Sequence, residues 1–517
     1  MNDSSKQRRI GIILSYSQMA LNIIIGLVYT PVMLKLLGQS EYGLYSTVVS
    51  VISVLSILSL GFGSGYLKYY AKYRSQGAWE SVWKLNGMFL TIFSVIGVLT
   101  LVIGFLLSFN LKLVFGDGFT ARELETARVL MLMLTANLAI SFPASVFSTI
   151  ITANEKFIAH KTLQMIKTVA TPLMTIPLLL LGAKSIGLVA VTVLLALATE
   201  IFNVFYVFKH LHNKFIFRDF EKGLLTSIFT YTFFVTLNTI VRQVNWNVGK
   251  IILGRYLGTA AVAIYAVAFS LYVYYENFST SISGVCRTKV HLIVNETKDD
   301  RTQQKKQLTE YFTSIGRLQF MVLSLILTGF IIFGRAFITS VWVGAEYIES
   351  YYIALLLIGA SSVYLVQNLG IDVQRALNKH KFRSIIYIGM AIVNIALTVI
   401  LCQAFGATGA ALGTAVSILL VDGIVMNIYY HKKCNLDIIF FWKKILRASL
   451  GCLPPLLMGL LVSRYLDLSK LWVFAVSILA YSVLYVISIY FLSLDRSEKR
   501  IINNLLAKMK RRLSRKA

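Results

Sequence analysis

The sequence predicts an all-α polytopic membrane protein with about 14 transmembrane helices. Three observations predict it. Of the 517 residues, 57% are hydrophobic and 14% are charged, against about 45–50% and about 25% in soluble chains. The apolar residues fall into runs near the roughly 20 residues that a bilayer-crossing helix needs. Only six prolines occur in the whole chain, which leaves long helices uninterrupted. This composition excludes a soluble multidomain enzyme, a secreted disulfide scaffold and a disordered chain. An outer-membrane barrel is excluded because its strands alternate polar and apolar residues.

The runs, taken in order as spans 1 to 14, cover residues 10–34, 44–67, 85–109, 128–152, 162–182, 186–208, 224–254, 257–286, 311–333, 351–372, 384–405, 408–430, 445–463 and 471–493. The first is longer than the apolar core of a cleaved signal peptide, and no small-residue cleavage site follows it. Between the runs the basic residues alternate in density. With the N-terminus inside, 36 Lys and Arg fall in inner segments and 9 in outer ones, a strong positive-inside bias over short loops. Both termini are therefore expected in the cytoplasm. The same bias accounts for the net charge of +27, so no nucleic-acid partner is implied.

Trp79, Trp83, Trp342, Trp442 and Trp472 lie near span ends, where indole prefers the membrane interface; Trp246 lies inside a span. The longest loop, about 287–310, is charged and cytoplasmic, so neither side has room for a soluble catalytic domain. The tail Lys508–Lys516 is polybasic and suits anionic lipid. Cys286, Cys402, Cys434 and Cys452 have no ligand-like spacing, so neither a disulfide framework nor a metal site is expected. No HExxH, phosphate-binding loop or other catalytic constellation occurs, and no cofactor is implied.

The chain carries a weak internal repeat. A shift of 220 residues places Leu37-Gly38 on Leu257-Gly258, Tyr45 on Tyr265, Gln18 on Asn238 and Asn22 on Arg242. A shift of 222 places Lys161 on Arg383 and Glu200 on Asp422. The segment Ala153-Asn154-Glu155-Lys156-Phe157 resembles the stretch from Ala376 to Phe382. Spans 1–6 and 7–12 thus read as two copies. Six spans is an even number, so the copies share one orientation and are related by an axis along the membrane normal. Spans 13 and 14 are an addition.

Several segments carry a family resemblance. They are Arg8-Arg9, Pro31 at the end of span 1, Leu36-Leu37-Gly38 followed by Tyr42-Gly43-Leu44-Tyr45, the glycine-rich Gly61-Phe62-Gly63-Ser64-Gly65, and Lys68 to Tyr73. With the 14 spans and the repeat, they make the chain resemble polysaccharide biosynthesis flippases of the O-antigen translocase type. These belong to the multidrug/oligosaccharidyl-lipid/polysaccharide exporter superfamily, which also holds multidrug extrusion transporters and lipid II flippases. The resemblance implies two six-helix lobes around a central cavity fronted by spans 1, 2, 7 and 8, with lipid substrates passed between leaflets by alternating access. On that plan residues 1–9 are a cytoplasmic N-terminus, 10–208 the N-lobe, 209–223 a cytoplasmic linker and 224–430 the C-lobe. Residues 445–493 are spans 13 and 14, and 494–517 the basic tail.

Polar residues within spans each need a reason, because an ionisable one costs about 2.5–3.5 kcal/mol on insertion scales. Gln18, Asn22 and Tyr29 share one face of span 1, and Asn238, Arg242, Asn245 and Trp246 one face of span 7. The repeat places Arg242 near mid-depth; counting from Leu224 places it nearer the outer third. A guanidinium binds phosphate bidentately, so Arg242 suits a diphosphate-linked headgroup, or else pairs structurally with a carboxylate or Trp246. In span 8, Glu276 could counter Arg242, carry a coupling proton, or bind sugar beside Tyr272 and Tyr275. Glu200 and Asp422 could couple ions or make helix–helix hydrogen bonds. The Ser and Thr stripes of spans 4 and 5 read as packing, and Asp372 and Arg375 as a surface pair. Lys68, Lys72 and Arg74 could gather an anionic headgroup at the cytoplasmic entrance, or serve topology alone.

The resemblance implies a flippase for an undecaprenyl-diphosphate-linked oligosaccharide repeat unit in the bacterial cell membrane, and the fixed cation, amides and tyrosines suit phosphate and sugar. Membrane lipids, a proton or sodium counter-ion and a glycan polymerase are the expected partners. The alternatives are a drug/cation antiporter of the same fold, which favours buried acids without a central arginine, and a membrane-embedded glycan polymerase or ligase, which needs a long external catalytic loop.

Overall fold

The computed structural model describes residues 3–59, 62–220, 222–495 and 498–500. Gly61 and the polybasic segment Lys508–Lys516 lie outside the described residues. Among the described residues there is no strand, and twelve helices are long and apolar enough to cross a membrane. Two of the twelve, Thr239–Glu296 and Lys381–Lys433, have 58 and 53 residues. At 1.5 Å per residue a straight helix of 58 would reach about 87 Å, nearly three hydrocarbon thicknesses of about 30 Å. Each is interrupted. Gly258 (φ 78°, ψ −175°) breaks the first; Phe405 and Gly406 (φ 62°, ψ −142°) break the second. The breaks fall where the sequence separates span 7 from span 8 and span 11 from span 12, and counting each side separately brings twelve to fourteen.

The chain packs as two compact units, residues 1–268 with 384–417, and residues 269–383 with 418–517. Their boundaries differ from those of the sequence repeat: span 7 and the start of span 8 pack with the first copy.

The repeat is visible in local backbone geometry. Gly38 has φ 78° and ψ 166°, close to the angles of its equivalent Gly258. The helix ending at Ala153 and the short helix ending at Ala376 finish alike. Glu155 and Asn378 adopt left-handed φ of 60° and 54°. Glu155 N–H donates to Thr152 O and Lys156 N–H to Ile151 O; Asn378 N–H donates to Arg375 O and Lys379 N–H to Gln374 O. This is one C-terminal capping motif used twice. It returns the chain to the membrane after spans 4 and 10.

Two expectations need correcting. The segment 287–310 is not a loop. Helix continues to Glu296 and resumes at Arg301, because Asp300 caps the new helix by accepting from Thr302 N–H and Gln303 N–H at 2.9 Å. Charged helix ends thus extend beyond the apolar span. Span 2 is not one run either: an α-helix over Gln39–Leu55 gives way to a 3₁₀ turn at Ser56–Ser59, and helix resumes over Phe62–Ser75. Ser53 and Ser56 turn their hydroxyls onto the carbonyls of Val49 and Ser53, which competes with regular helix hydrogen bonding, and the glycine-rich segment follows. The linker 209–223 lies against span 3. Ile216 N–H donates to Trp83 O at 3.1 Å, and the buried Asn86 amide donates to Lys214 O at 3.0 Å while accepting from Tyr66 Oη at 2.6 Å. Gly87 permits this approach, since a Cβ there would lie 2.0 Å from Ile216 O.

Candidate functional site

In unit 1 the polar face of span 1 meets span 5, on the helix Phe157–Leu180. Lys161 Nζ donates to Gln18 Oε1 at 3.2 Å and Thr168 Oγ1 to Asn22 Oδ1 at 3.0 Å. Tyr29 comes beside Thr175 one step further on, with no hydrogen bond of good geometry made by either hydroxyl among the described residues. The paired positions rise together, 18 with 161, 22 with 168 and 29 with 175, so the two stripes run side by side in one direction. Lys161 reads from sequence as a loop cation. The structure places it on the helix, in this polar seam.

Span 7 divides its polar residues between two jobs. Asn245 is buried and bonded: Asn394 Nδ2 of span 11 reaches its O and Oδ1 at 3.4 and 3.3 Å, and Thr398 and Thr414 donate to Asn394 Oδ1 at 3.2 Å. This amide–hydroxyl cluster ties spans 7, 11 and 12 together. Arg242, three residues away, is exposed. Among the described residues its guanidinium makes no hydrogen bond or ion pair. Trp246 is half-buried one turn on. Asn238 lies on the same helix, but its side chain is outside the described residues.

Arg242 precedes Gly258 by the same 16 residues that separate Asn22 from Gly38, about 24 Å along either helix. Both therefore sit near the middle of helices of about 35 residues, Lys222 to Gly258 and Asp3–Leu37.

In unit 2 the tyrosines of span 8 face span 10. Tyr272 Oη lies 2.6 Å from Tyr364 Oη, Tyr275 Oη 2.7 Å from Ser362 Oγ, and Tyr364 Oη donates to Glu276 Oε1 at 3.5 Å. Glu276 thus shares a hydroxyl cluster with Tyr272 and Tyr364.

The equivalents Glu200 and Asp422 have diverged. Glu200, half-buried on a regular helix, accepts from Asn203 Nδ2 at 3.2 Å, with Lys167 near enough to act on it electrostatically. It borders an open, apolar groove of about 710 Å³ lined also by Ile140, Leu197, Ile201 and Phe205. Asp422 is 7% exposed and sits on a π-helical turn, Leu419–Val425. It lines a small cavity with Arg383, Tyr364, Gln367 and Tyr430.

The residues proposed for the entrance are exposed. Arg74 Nη1 donates to Ala153 O at 3.2 Å and Tyr70 Oη to Asn154 Oδ1 at 2.9 Å, so Arg74 helps cap the end of span 4. Lys68 and Lys72 lie over the rings of Tyr69 and Tyr73 at 5.6 and 5.9 Å. Asp372 pairs with Arg375 as expected, at 3.4 Å, but not as a surface group. It is 3% exposed, and Arg287 Nε reaches it at 2.9 Å. A carboxylate in that position needs both cations to offset its lost hydration.

A family model described as polysaccharide biosynthesis protein matches residues 9–286, more than half of the chain. The chain belongs to that family. No match was found among curated proteins. Among solved structures, "Lipid II flippase MurJ, inward closed conformation" is similar at a TM-score of 0.71 and 17% identity, covering 93% of this chain and 97% of that one. A multidrug resistance MATE family transporter of the MOP superfamily, in an inward-facing conformation, gives 0.61 and 13%, covering 84% and 99%. The MATE multidrug transporter DinF-BH gives 0.60 and 16%, covering 82% and 94%. At these identities the likeness establishes the fold.

For this polysaccharide biosynthesis protein, sequence reasoning missed Lys161, Arg383 and Tyr364 as members of polar clusters. The signal for the first two was present, since the repeat aligns Lys161 with Arg383. Tyr364 had none, being one tyrosine of 27.

Proposed function

We propose that this protein is a flippase. It moves an undecaprenyl-diphosphate-linked oligosaccharide repeat unit from the inner to the outer leaflet of a bacterial cell membrane by alternating access. Arg242 carries the reading. A permanent cation, halfway along an apolar helix and with no partner among the described residues, is too costly to face hydrocarbon. It needs water or an anion, and a diphosphate supplies the anion. Membership of the polysaccharide biosynthesis family supplies the rest of the substrate. In this reading Gln18, Asn22, Tyr29, Asn238, Trp246 and the seam with Lys161 offer amides, hydroxyls and a second cation to phosphate and sugar. Glu276, Glu200 and Asp422 are the groups through which a proton or sodium ion would couple. Lys68 and Lys72 attract the headgroup at the inner surface, and a glycan polymerase takes the product outside.

The drug/cation antiporter reading rests on fold alone and leaves Arg242 unused. A polymerase or ligase would need a long external loop; the longest non-helical stretch among the described residues, 211–220, has ten residues.

Deleting the gene should cause a lipid-linked oligosaccharide to accumulate on the inner leaflet, identified by mass spectrometry. Unchanged lipid-linked glycan pools would refute the flippase reading. The orientation has its own test. Reporter fusions at Lys72 and at the C-terminus should report cytoplasm, and a fusion at Gly118 the outside; a cytoplasmic Gly118 would break the topology.

A further inference from the structure

The corner between spans 7 and 8 is held by the first copy of the repeat, although the sequence assigns it to the second. Glu123, in the first turn of span 4's helix, is the centre of the grip. Its Oε1 accepts from Ser40 Oγ at 2.6 Å and from Thr259 Oγ1 at 2.7 Å; its Oε2 accepts from Thr120 N–H and Thr120 Oγ1 at 2.8 Å. Ser40 Oγ and Thr259 Oγ1 are themselves 3.0 Å apart. One carboxylate thus joins the start of span 2, the start of span 4 and the start of span 8.

Backbone contact surrounds this cluster. A Cβ on Gly43 would lie 1.8 Å from Thr259 O, and one on Gly118 would lie 2.2 Å from Gly254 O. Arg255 Nη1 donates to Leu113 O at 2.7 Å. Gly254 packs on Thr47 and Phe119, and Thr47 is fully buried. Glycine at 43 and 118 lets the chains meet without side chains between them. Hydrogen bonds to the Glu123 carboxylate fasten this contact at the three helix starts.

We propose that Glu123, Ser40 and Thr259 form a latch. It holds the outer end of unit 1 shut, and the span 7–8 corner must leave it before substrate can exit there. This rests on the alternating-access reading above. Glu123 is a positioning residue here, acting on the equilibrium between closed and open forms without touching the substrate. A carboxylate suits the role because each oxygen accepts two hydrogen bonds at once, so one side chain couples three helix ends.

Two measurements on the full-length protein in membranes test the latch, with the four native cysteines replaced by alanine. First, Thr47→Cys should resist a membrane-impermeant maleimide added from outside. Adding Glu123→Ala should raise its labelling rate about five- to a hundredfold, the usual range of a conformational coupling. An unchanged rate at normal protein levels would overturn the proposal. Second, Ser40→Cys with Thr259→Cys should form a disulfide under oxidation, stop glycan export, and recover on reduction, while export by each single variant should not change between oxidising and reducing conditions. Failure of the disulfide to form, or continued export by fully cross-linked protein, would also overturn it. The labelling readout needs no substrate. If it responds while the deletion strain accumulates no lipid-linked glycan, the latch stands and the flippase reading fails.

Discussion

Replacing Arg242 with alanine is expected to abolish glycan export while the protein still reaches the membrane. The expectation follows from what a diphosphate meets on leaving water. An apolar wall offers nothing to offset lost hydration, and an unpaired charge in such surroundings costs many kcal/mol. A guanidinium near mid-depth offsets that cost by Coulomb attraction and by two parallel hydrogen bonds, each worth about 1.5–3 kcal/mol to a charged group. Lysine keeps the charge and loses the fork, so Arg242→Lys should retain part of the export. Alanine should not harm folding, because Arg242 is exposed and bonds to nothing among the described residues. The assay is surface glycan against membrane abundance of each variant. If export tracks abundance in both, Arg242 is structural. Full export by well-expressed Arg242→Ala removes it from the substrate path.

Arg317 is expected to behave in the opposite way, with stability lost first. It lies in span 9 and is 2% exposed. Its Nε and Nη2 grip Glu498 Oε1 and Oε2 at 2.9 and 2.7 Å, Nη2 also donates to Ser493 O at 2.7 Å, and Nη1 to Lys444 O at 3.2 Å. Asp495 Oδ2 is 3.8 Å from Nη2 and 3.3 Å from Lys444 Nζ. The guanidinium therefore ties span 9 to the ends of spans 13 and 14 within unit 2. Arg317→Met would leave Glu498 without its cation and two carbonyls without this donor, while Asp495 keeps Lys444. Breaking a buried pair from one side costs about 3–5 kcal/mol. Membrane abundance and melting temperature in detergent should both fall, with Glu498→Gln falling less because its amide keeps one hydrogen bond to the guanidinium and Asp495 still offsets the charge. Wild-type melting by Arg317→Met would show that the network contributes nothing.

The contrast between these arginines marks where sequence reading stops. Both are single cations in apolar helices; a polar stripe marks the first, and nothing local foretells the partners of the second. Arg317's partners lie 176 and 181 residues away, beyond any local pattern. Asn245 and Arg242 looked like members of one stripe because helix periodicity puts them on one side. Packing against Asn394 used the first and left the second exposed, and periodicity says which residues share a face but not what the face meets. The entrance residue Arg74 likewise turned out to cap span 4 through Ala153 O.

By itself the sequence determined the all-helical membrane class, the approximate positions of the spans, the repeat, and the family. Those are properties of composition, run length and self-similarity, which need no knowledge of neighbours. The positive-φ positions Gly38, Gly258, Glu155 and Asn378 show that even the turns were encoded in the repeated segments. Only the tertiary structure decided that span 1's amides meet span 5, that Asp372 is buried between two arginines, and that the span 7–8 corner packs with the first copy. A polar side chain in a span must satisfy its hydrogen bonds somewhere, but many partners are chemically equivalent. The choice among them is made by which helices lie side by side, a global property that the local sequence does not carry.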